Sequence, residues 1–307
     1  MHVIAFAYVR LRRVLVMVGL SSVAALSISS ASTSAFTEPG LTGTWGDFAN
    51  CPAKVIVLLG RSACEHSYAT GGMVQIGHST VPISVPGDTF DVGITTPGGP
   101  GVVMSPPHGI LNGPAQPVPG GLLGTIGNVQ LTGVTARLEW AASTPPSTVF
   151  GFTEPCGSNP LVTFDICKIL KAKAGTAVTL RAKIHLLSPF LGSSCFIGSA
   201  AHPIVIALTT GVTSPPPPAK PIHGSSLEFL TFISPFYQQA VGFTFVNNSF
   251  SVPAATGCGT TTGGVVDASI NHKLGLPSPA GKNMIAISAI AEQAPAENVL
   301  EHGWTGE

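Results

Sequence analysis

The chain contains residues that could act as nucleophiles, but their spacing matches no established catalytic motif. A serine hydrolase of the α/β type needs a nucleophile elbow, Gly-x-Ser-x-Gly. Ser79 follows Gly77 and Ser194 follows Gly192, yet neither serine has the second glycine. We therefore predict no catalytic residue in this chain.

The acidic residues could in principle supply the carboxylate pair of a glycoside hydrolase. Such pairs lie far apart in sequence, so spacing does not identify them. The 14 Asp and Glu residues of this chain are of the kind expected on a solvated surface. A hydrolase with an unrecognised site is accordingly the weakest of three functional hypotheses.

Nine histidines are scattered along the chain without the short spacings of a zinc site. His66 and His78 flank a Gly71-Gly72 pair, while His108 and His223 occupy matching places in a weak repeat described below. A phosphate loop, a dinucleotide fingerprint and an EF-hand are all absent from the sequence. We predict no metal ligand and no cofactor.

The six cysteines are even in number, as expected of a disulfide framework. Six cysteines allow 15 pairings, and nearest-neighbour pairing favours Cys51–Cys64, Cys156–Cys167 and Cys195–Cys258. A zinc site is the alternative, but no Cys-x-x-Cys is present. Disulfides are typical of oxidising compartments, so this pattern predicts an exported protein.

The N-terminus predicts a secretory signal over residues 1–35. Arg10, Arg12 and Arg13 precede an apolar run and then a small-residue stretch, with cleavage expected after Ala35 or Ala31. A membrane anchor is the alternative, but the run is short for a span of about 20 residues. The sequence leaves open whether the general or the twin-arginine route is used.

The composition argues against nucleic-acid binding and against a later membrane span. Only 9% of residues are charged, and the predicted signal holds no acid, so the exported chain is slightly acidic and lacks a basic patch. No later run is long and apolar enough to cross a bilayer. Weak charge repulsion makes self-association or contact with the cell envelope plausible.

Alternating apolar and polar residues predict an all-β fold with little helix. Residues 134–140 and 178–186 alternate strictly, as half-buried strands do. Residues 54–59 and 284–290 are more uniformly apolar, which is typical of buried central strands. One helix is predicted at Ala268–Leu274, capped by Asp267 and ended by Gly275.

A weak internal repeat predicts two β-sandwich-like units, 36–130 and 131–307. Residues 74–85 align with residues 195–206, with identical residues at Ile76/Ile197, Gly77/Gly198, Pro82/Pro203 and Ile83/Ile204. Each copy predicts a strand, a glycine turn and a second strand with proline at an edge or bulge. The units would carry long Gly/Pro loops and be stapled by disulfides.

The aromatic residues are interpreted first as core. Trp140 ends an alternating apolar face, and Trp45 could otherwise line a sugar or peptide platform. A further cluster is predicted to pack in the core or between the two units: Phe229, Phe232, Phe236, Tyr237, Phe243 and Phe245. If exposed, such a cluster would be a binding patch.

Three stretches resemble a group of uncharacterised secreted β-rich proteins of actinobacteria. They are Gly192-Ser-Ser-Cys-Phe-Ile-Gly-Ser199, Leu208-Thr-Thr-Gly211 and Lys273-Leu-Gly-Leu-Pro-Ser-Pro-Ala-Gly-Lys-Asn283. The resemblance covers mainly the second half of the chain. It implies a secreted β-rich protein and supplies no catalytic residue.

The sequence therefore favours a secreted, non-enzymatic protein that is structural or interacts with the cell surface. The second hypothesis is an extracellular binding module for a sugar, a lipid or a hydrophobic surface. An exposed aromatic strip would favour the binding module, and convergent carboxylates in a polar groove would favour the hydrolase.

Overall fold

The computed structural model describes residues 43–305, apart from 84, 86, 88, 97–101, 107–108, 119–124, 127–128, 131–132, 142–175, 227–228, 235–236 and 260–263. The predicted signal, the pair Cys156–Cys167 and His108 lie outside the described residues.

The described residues form an all-β fold, as predicted, with three short α-helices and two 3-10 helices. The 3-10 helices are Gly43–Phe48 and Val57–Leu59, and the α-helices are α1 (Ala53–Ile56), α2 (Val265–Leu274) and α3 (Ala296–Thr305). The strands in chain order are β1 (Arg61–Ile76), β2 (Ser79–Pro82), β3 (Thr89–Thr96), β4 (Val102–Met104), β5 (Leu111–Asn112), β6 (Gln116–Pro117), β7 (Thr125–Ile126), β8 (Val129–Gln130), β9 (Thr135–Trp140), β10 (Val178–Leu187), β11 (Phe196–Ile197), β12 (Ile204–Leu208), β13 (Phe229–Ser234), β14 (Tyr237–Asn247), β15 (Ala255–Thr256) and β16 (Met284–Pro295).

Two antiparallel sheets carry the structure. The larger sheet, sheet A, has eight strands in the order β13-β14-β16-β1-β3-β4, with β2 added to β1 and β5 added to β3. The smaller, sheet B, has six strands in the order β15-β11-β10-β9-β6, with β12 added to β10. Strands β7 and β8 form a separate hairpin.

The predicted division near residue 130 does not match the sheets. Strand β1, from the predicted first unit, pairs with β16, from the predicted second unit, over a long antiparallel ladder. Residues 38–307 accordingly form one compact unit. Long-range pairing of this kind leaves no local trace in the sequence, because the partners are more than 200 residues apart.

The two copies of the weak repeat do adopt the local form expected of them. Gly77, with φ of 54°, follows β1 and precedes β2, and Gly198, with φ of 81°, follows β11. Their pairing differs, because β1 and β2 form a hairpin whereas β11 and β12 each pair with β10.

The main core lies between the two sheets. Alternating residues of β10 and β12 in sheet B are buried against residues of β16 and β14 in sheet A. Helix α2 closes this core with Val266, Ile270 and Leu274. Burial of alternate residues on β10 is what the sequence pattern predicted, whereas on β9 all residues except the exposed Arg137 are half-buried.

The outer face of sheet A is covered by a second layer. Trp45, Phe48 and Ile56, from the 3-10 helix Gly43–Phe48 and from α1, pack with Tyr237 of β14 and Val299 of α3. The ring of Phe48 lies 5.1 Å from that of Tyr237, edge to face. This apolar layer leaves a polar strip of the sheet beside it.

The prediction of a strand at residues 54–59 is wrong. The segment forms α1 and the 3-10 helix Val57–Leu59. Ile56 is fully buried whereas Val55 and Leu58 are 52% and 83% exposed, so only one side of the segment meets the core. Pro52 directly before α1 favours a helical start.

The helix predicted at Ala268–Leu274 is present but begins at Val265, and Gly275 ends it with φ of 67°. Asp267 is not its cap. The carboxylate of Asp267 instead accepts a hydrogen bond from the backbone N–H of Cys258 at 2.7 Å, and so ties the helix to the second disulfide.

Two of the three predicted disulfides lie in the described residues and are confirmed: Cys51–Cys64 and Cys195–Cys258. The first joins the covering layer to β1, and the second joins the loop before β11 to the loop before α2. None of the helices in the described part of the chain is long and apolar enough to cross a membrane.

We expect the double variant Cys51→Ala/Cys64→Ala to be less stable by about 3 kcal/mol, because the bond closes a short loop that the unfolded chain would otherwise leave free. Urea unfolding under non-reducing conditions measures the loss. Cys195→Ala/Cys258→Ala serves as the comparison for the other disulfide. Unchanged stability of the first variant would show that the covering layer does not depend on this bond.

Candidate functional site

A row of polar side chains crosses four strands on the outer face of sheet A. The register places Gln239 of β14 opposite Glu292 of β16, Glu292 opposite His66 of β1, and His66 opposite Asp91 of β3. Directly paired residues of antiparallel strands project from the same face of a sheet. The sheet therefore brings together side chains that are far apart in sequence.

His66 and Asp91 form the tightest contact of this row. Nδ1 of His66 lies 2.6 Å from Oδ1 of Asp91, and the His66 side chain is only 12% exposed. Asp91 also accepts hydrogen bonds from Asn50 at 3.2 Å, Thr89 at 3.2 Å and Asn112 at 3.3 Å. This buried carboxylate is thus surrounded by donors, and it fixes the imidazole ring through Nδ1.

Asp47 approaches the row from the covering layer. It lies on the 3-10 helix Gly43–Phe48, which is anchored by Trp45 and Phe48 against Tyr237. One ligand atom each from Asp47, His66 and Glu292 lies within 4.8 Å of the others. We call these three residues the acidic–histidine cluster.

The cluster concentrates negative charge around one imidazole. Burial raises the pKa of Glu292 above its ordinary value, and the nearby charge of Asp47 raises it further. Burial alone would lower the pKa of His66, but the hydrogen bond and charge of Asp91 outweigh it, so that pKa is raised. Burial, with the charge of Glu292, also raises the pKa of Tyr237.

A second polar row lies on the opposite face of the same strands, toward the core. Gln238, Gln293 and Glu65 are consecutive in this row, and the amide of Gln293 donates to Oε2 of Glu65 at 3.2 Å. Glu65 is 6% exposed. Burial raises the pKa of its carboxyl to about 8 despite hydrogen bonds from Ser67 and Gln293.

Glu65 lines one of two apolar cavities between the sheets. The first cavity has a volume of about 110 Å³ and the second, which Glu65 lines, about 120 Å³. Four residues line both cavities: Val74, Ile83, Leu138 and Ile285. The two cavities are therefore neighbours, separated by side chains rather than by a sheet.

The remaining walls are mainly apolar. Sheet A contributes Ile287 and Phe245, and sheet B contributes Leu180 and Ile206. Besides Glu65, the polar residues around the second cavity include Ser67 and Thr89, which are on β1 and β3. An apolar molecule with a polar group at one end is the chemical complement of this space.

The serines weighed as nucleophiles are not brought to His66. The Ser194 hydroxyl donates to the carbonyl of Gly257 at 2.8 Å, and Ser79 lines the first cavity. Within the described part of the chain, no serine hydroxyl is hydrogen-bonded to His66. His78 lies against Gly275, and His223 forms an isolated bridge with Val212.

The aromatic predictions are confirmed where the side chains are described. Trp45 is 7% exposed, and Tyr237 and Phe243 are each 1% exposed. Trp140 and Phe245 are half-buried and pack against the core. The side chains of Phe229, Phe232 and Phe236 lie outside the described part of the structure.

The acidic–histidine cluster follows no motif in the sequence, from which we predict no metal ligand. Its members are at positions 47, 66 and 292, so no spacing rule joins them. One sign was available: Glu292 and Gln293 interrupt an otherwise apolar strand. Buried polar residues in such a strand indicate a partner across the sheet.

We compared the chain with models of protein families, with curated proteins and with solved structures, and none of them matches it.

We expect the stability of the protein to fall as the pH rises from about 4.5 to about 8. The folded state keeps the proton of Glu65 in this range whereas the unfolded chain releases it near pH 4.5, so deprotonation favours unfolding. His66 and Glu292 have raised pKa values as well and act in the same direction. A group that is protonated in the folded state and deprotonated in the unfolded state lowers the free energy of unfolding by up to about 1.4 kcal/mol per pH unit.

Urea unfolding between pH 5 and pH 8 measures how the free energy of unfolding depends on pH. We expect Glu65→Gln to reduce the slope of this dependence without abolishing it. Glu301→Gln, at an exposed position, is the matched control and should leave the slope unchanged. A Glu65→Gln slope equal to that of the unaltered protein would contradict the assignment.

Proposed function

We propose that this protein is an exported, non-enzymatic binding protein that holds the aliphatic chain of a lipid or fatty acid between its two sheets. The observation that carries the proposal is the pair of adjacent apolar cavities. The purely structural or surface-interaction role that the sequence favoured rests on composition alone.

The energetics of packing support an occupant. Apolar space that no atom fills costs stability in rough proportion to its volume, and both cavities are lined mainly by apolar side chains. Net stabilities of folded proteins are only about 5–15 kcal/mol. A ligand that fills the space would recover much of this loss.

The shape and chemistry of the space favour a linear chain. The two cavities are neighbours that share Leu138 and Ile285, so a linear chain could reach from one to the other whereas a compact ligand would occupy only one. Apolar cavities of similar size in other proteins stay dry and bind small apolar molecules. The carboxyl of Glu65 and the hydroxyl of Ser67 offer hydrogen bonds to a polar end group.

Export of the protein is part of the proposal. The N-terminal pattern of residues 1–35 is that of a secretory signal, and the disulfides Cys51–Cys64 and Cys195–Cys258 are compatible with an oxidising compartment. The low charge of the chain is also compatible with association with the cell envelope.

We expect decanoic acid and 1-decanol to bind with one site per chain, and Leu138→Phe to abolish binding because the larger ring projects from the wall that the two cavities share. Isothermal titration calorimetry measures binding. Because the larger side chain fills apolar space, we expect the melting temperature of Leu138→Phe to be unchanged or raised. Measuring the melting temperature therefore distinguishes a variant that has lost the ligand site from one that has failed to fold.

Leu58→Phe is the matched control, since Leu58 is 83% exposed and distant from the cavity walls. It should bind as the unaltered protein does. Absence of binding to the unaltered protein, or equal binding by Leu138→Phe, would overturn the proposed function.

The proposal of export makes a separate prediction. Produced in its native type of host, the protein should be found outside the cytoplasm, with a mature N-terminus following Ala31 or Ala35. Mass spectrometry of the N-terminal peptide and of non-reduced peptides measures both the cleavage and the disulfides. A cytoplasmic protein with an intact N-terminus and free thiols would contradict it.

A further inference from the structure

The structure contains a second site that is independent of the inter-sheet cavities, on the opposite face of sheet A. We propose that the acidic–histidine cluster of Asp47, His66 and Glu292 binds a divalent transition-metal ion. The first support is the donor set itself, one imidazole nitrogen and two carboxylates with their ligand atoms within 4.8 Å of one another.

The geometry is within reach of coordination. A tetrahedral zinc ion about 2.1 Å from each ligand needs ligand atoms roughly 3.4 Å apart. His66 and Glu292 are directly paired on neighbouring strands, and their backbones are therefore fixed relative to each other. Asp47 is exposed and lies on a short 3-10 helix, so it can move inward by the small distance required.

The second support is the way in which His66 is held. Asp91 occupies Nδ1 of the imidazole at 2.6 Å, which leaves Nε2 as the nitrogen available to a metal. A carboxylate on the far nitrogen of a metal-binding histidine is a recurrent arrangement, because it fixes the tautomer and the ring orientation. Asp91 is itself held by Asn50, Thr89 and Asn112.

The third support is an unpaired oxygen in the cluster. Glu292 is 2% exposed, and its Oε1 accepts a hydrogen bond from the Gln239 amide at 2.7 Å. Its Oε2 is fully buried and makes no hydrogen bond of normal geometry with any described residue, although Tyr237 and Asp47 lie close enough to shift the pKa of this carboxyl. A buried carboxylate oxygen without a partner is unfavourable, and a bound cation would satisfy it.

The donor set also indicates the class of ion. Magnesium and calcium prefer all-oxygen sites, whereas imidazole suits zinc and other first-row transition metals. Two carboxylates around one imidazole would neutralise a divalent charge. Zinc is therefore the probe of choice, and magnesium is the comparison.

Bound metal would link the covering layer to the sheet. Asp47 belongs to the 3-10 helix Gly43–Phe48, while His66 and Glu292 belong to the central strands β1 and β16. The ion would add a third connection to those made by the aromatic contacts and by Cys51–Cys64.

The test is isothermal titration of zinc chloride and of magnesium chloride into metal-free protein, dialysed first against EDTA and then against chelator-free buffer. Non-reducing conditions keep the cysteines oxidised, so that thiols do not bind the zinc. We expect one zinc ion per chain and at least tenfold weaker binding of magnesium.

Asp47→Asn is the decisive variant, because Asp47 is exposed and its loss should not prevent folding. We expect it to weaken zinc binding by about tenfold or more, and Asp91→Asn to weaken it by about 10–100-fold through the orientation of His66. His185→Gln is the matched control, since His185 contacts Glu139 at 3.0 Å on sheet B, away from the cluster.

The control should bind zinc as the unaltered protein does. Absence of a single zinc site, or equal affinity in Asp47→Asn and His185→Gln, would overturn the proposal. Decanoic acid binding by Asp47→Asn should be unaffected, so failure of the metal site and failure of the cavity are distinguishable.

Discussion

The long antiparallel pairing of β1 with β16 is the constraint on which the rest of the structure depends. It joins residues near position 65 to residues near position 290 and runs from Ala63↔Pro295 to Gln75↔Met284. Because side chains alternate along both strands, the pairing on either side of the register shift between Ala69 and Gly71 sets the two faces of sheet A together. A slip of one residue would exchange the polar row facing the covering layer with the polar row facing the core.

The two faces have different chemistry, and each depends on what covers it. Toward sheet B the central strands present aliphatic residues, with Glu65 in the wall of the second cavity and Gln293 hydrogen-bonded to it. Toward the covering layer they present His66 and Glu292, beside the aromatic contacts of Trp45, Phe48 and Tyr237. Sheet A thus separates the proposed aliphatic site from the proposed ion site within a single layer of strands.

Burying these polar groups works against stability. Desolvation of Glu65 and Glu292 raises the pKa of both carboxyls, so each favours its neutral form in the folded protein. Empty cavities and an unpaired carboxylate oxygen act in the same unfavourable direction. Proteins tolerate such features most often at functional sites, which is why both sites are assigned ligands here.

The sequence predicted local structure well where one residue pattern had one explanation. Strict alternation located β9 and β10, the apolar run at 284–290 located the centre of β16, and Gly275 marked the end of α2. It failed at residues 54–59, where an apolar run with Pro52 before it forms helix instead of strand. Short apolar runs do not distinguish the two.

The sites could not be predicted because they arise from pairing and spacing in three dimensions. Asp47, His66, Asp91 and Glu292 become neighbours only through the registers of β1 with β3 and β16. The cavities depend on how far apart the two sheets stand, which no hydrophobic pattern encodes. The disulfides Cys51–Cys64 and Cys195–Cys258 were predictable because pairing each cysteine with its neighbour in sequence requires no three-dimensional information.

We propose that the space between the sheets is a ligand site for an aliphatic chain. A crystal structure of the protein grown with a bromine-labelled decanoic acid tests it most directly. We expect an anomalous bromine signal between the sheets, in contact with residues that line both cavities, such as Leu138 or Ile285. Sheets that close on each other with side chains filling the space, and no bromine between them, would contradict it.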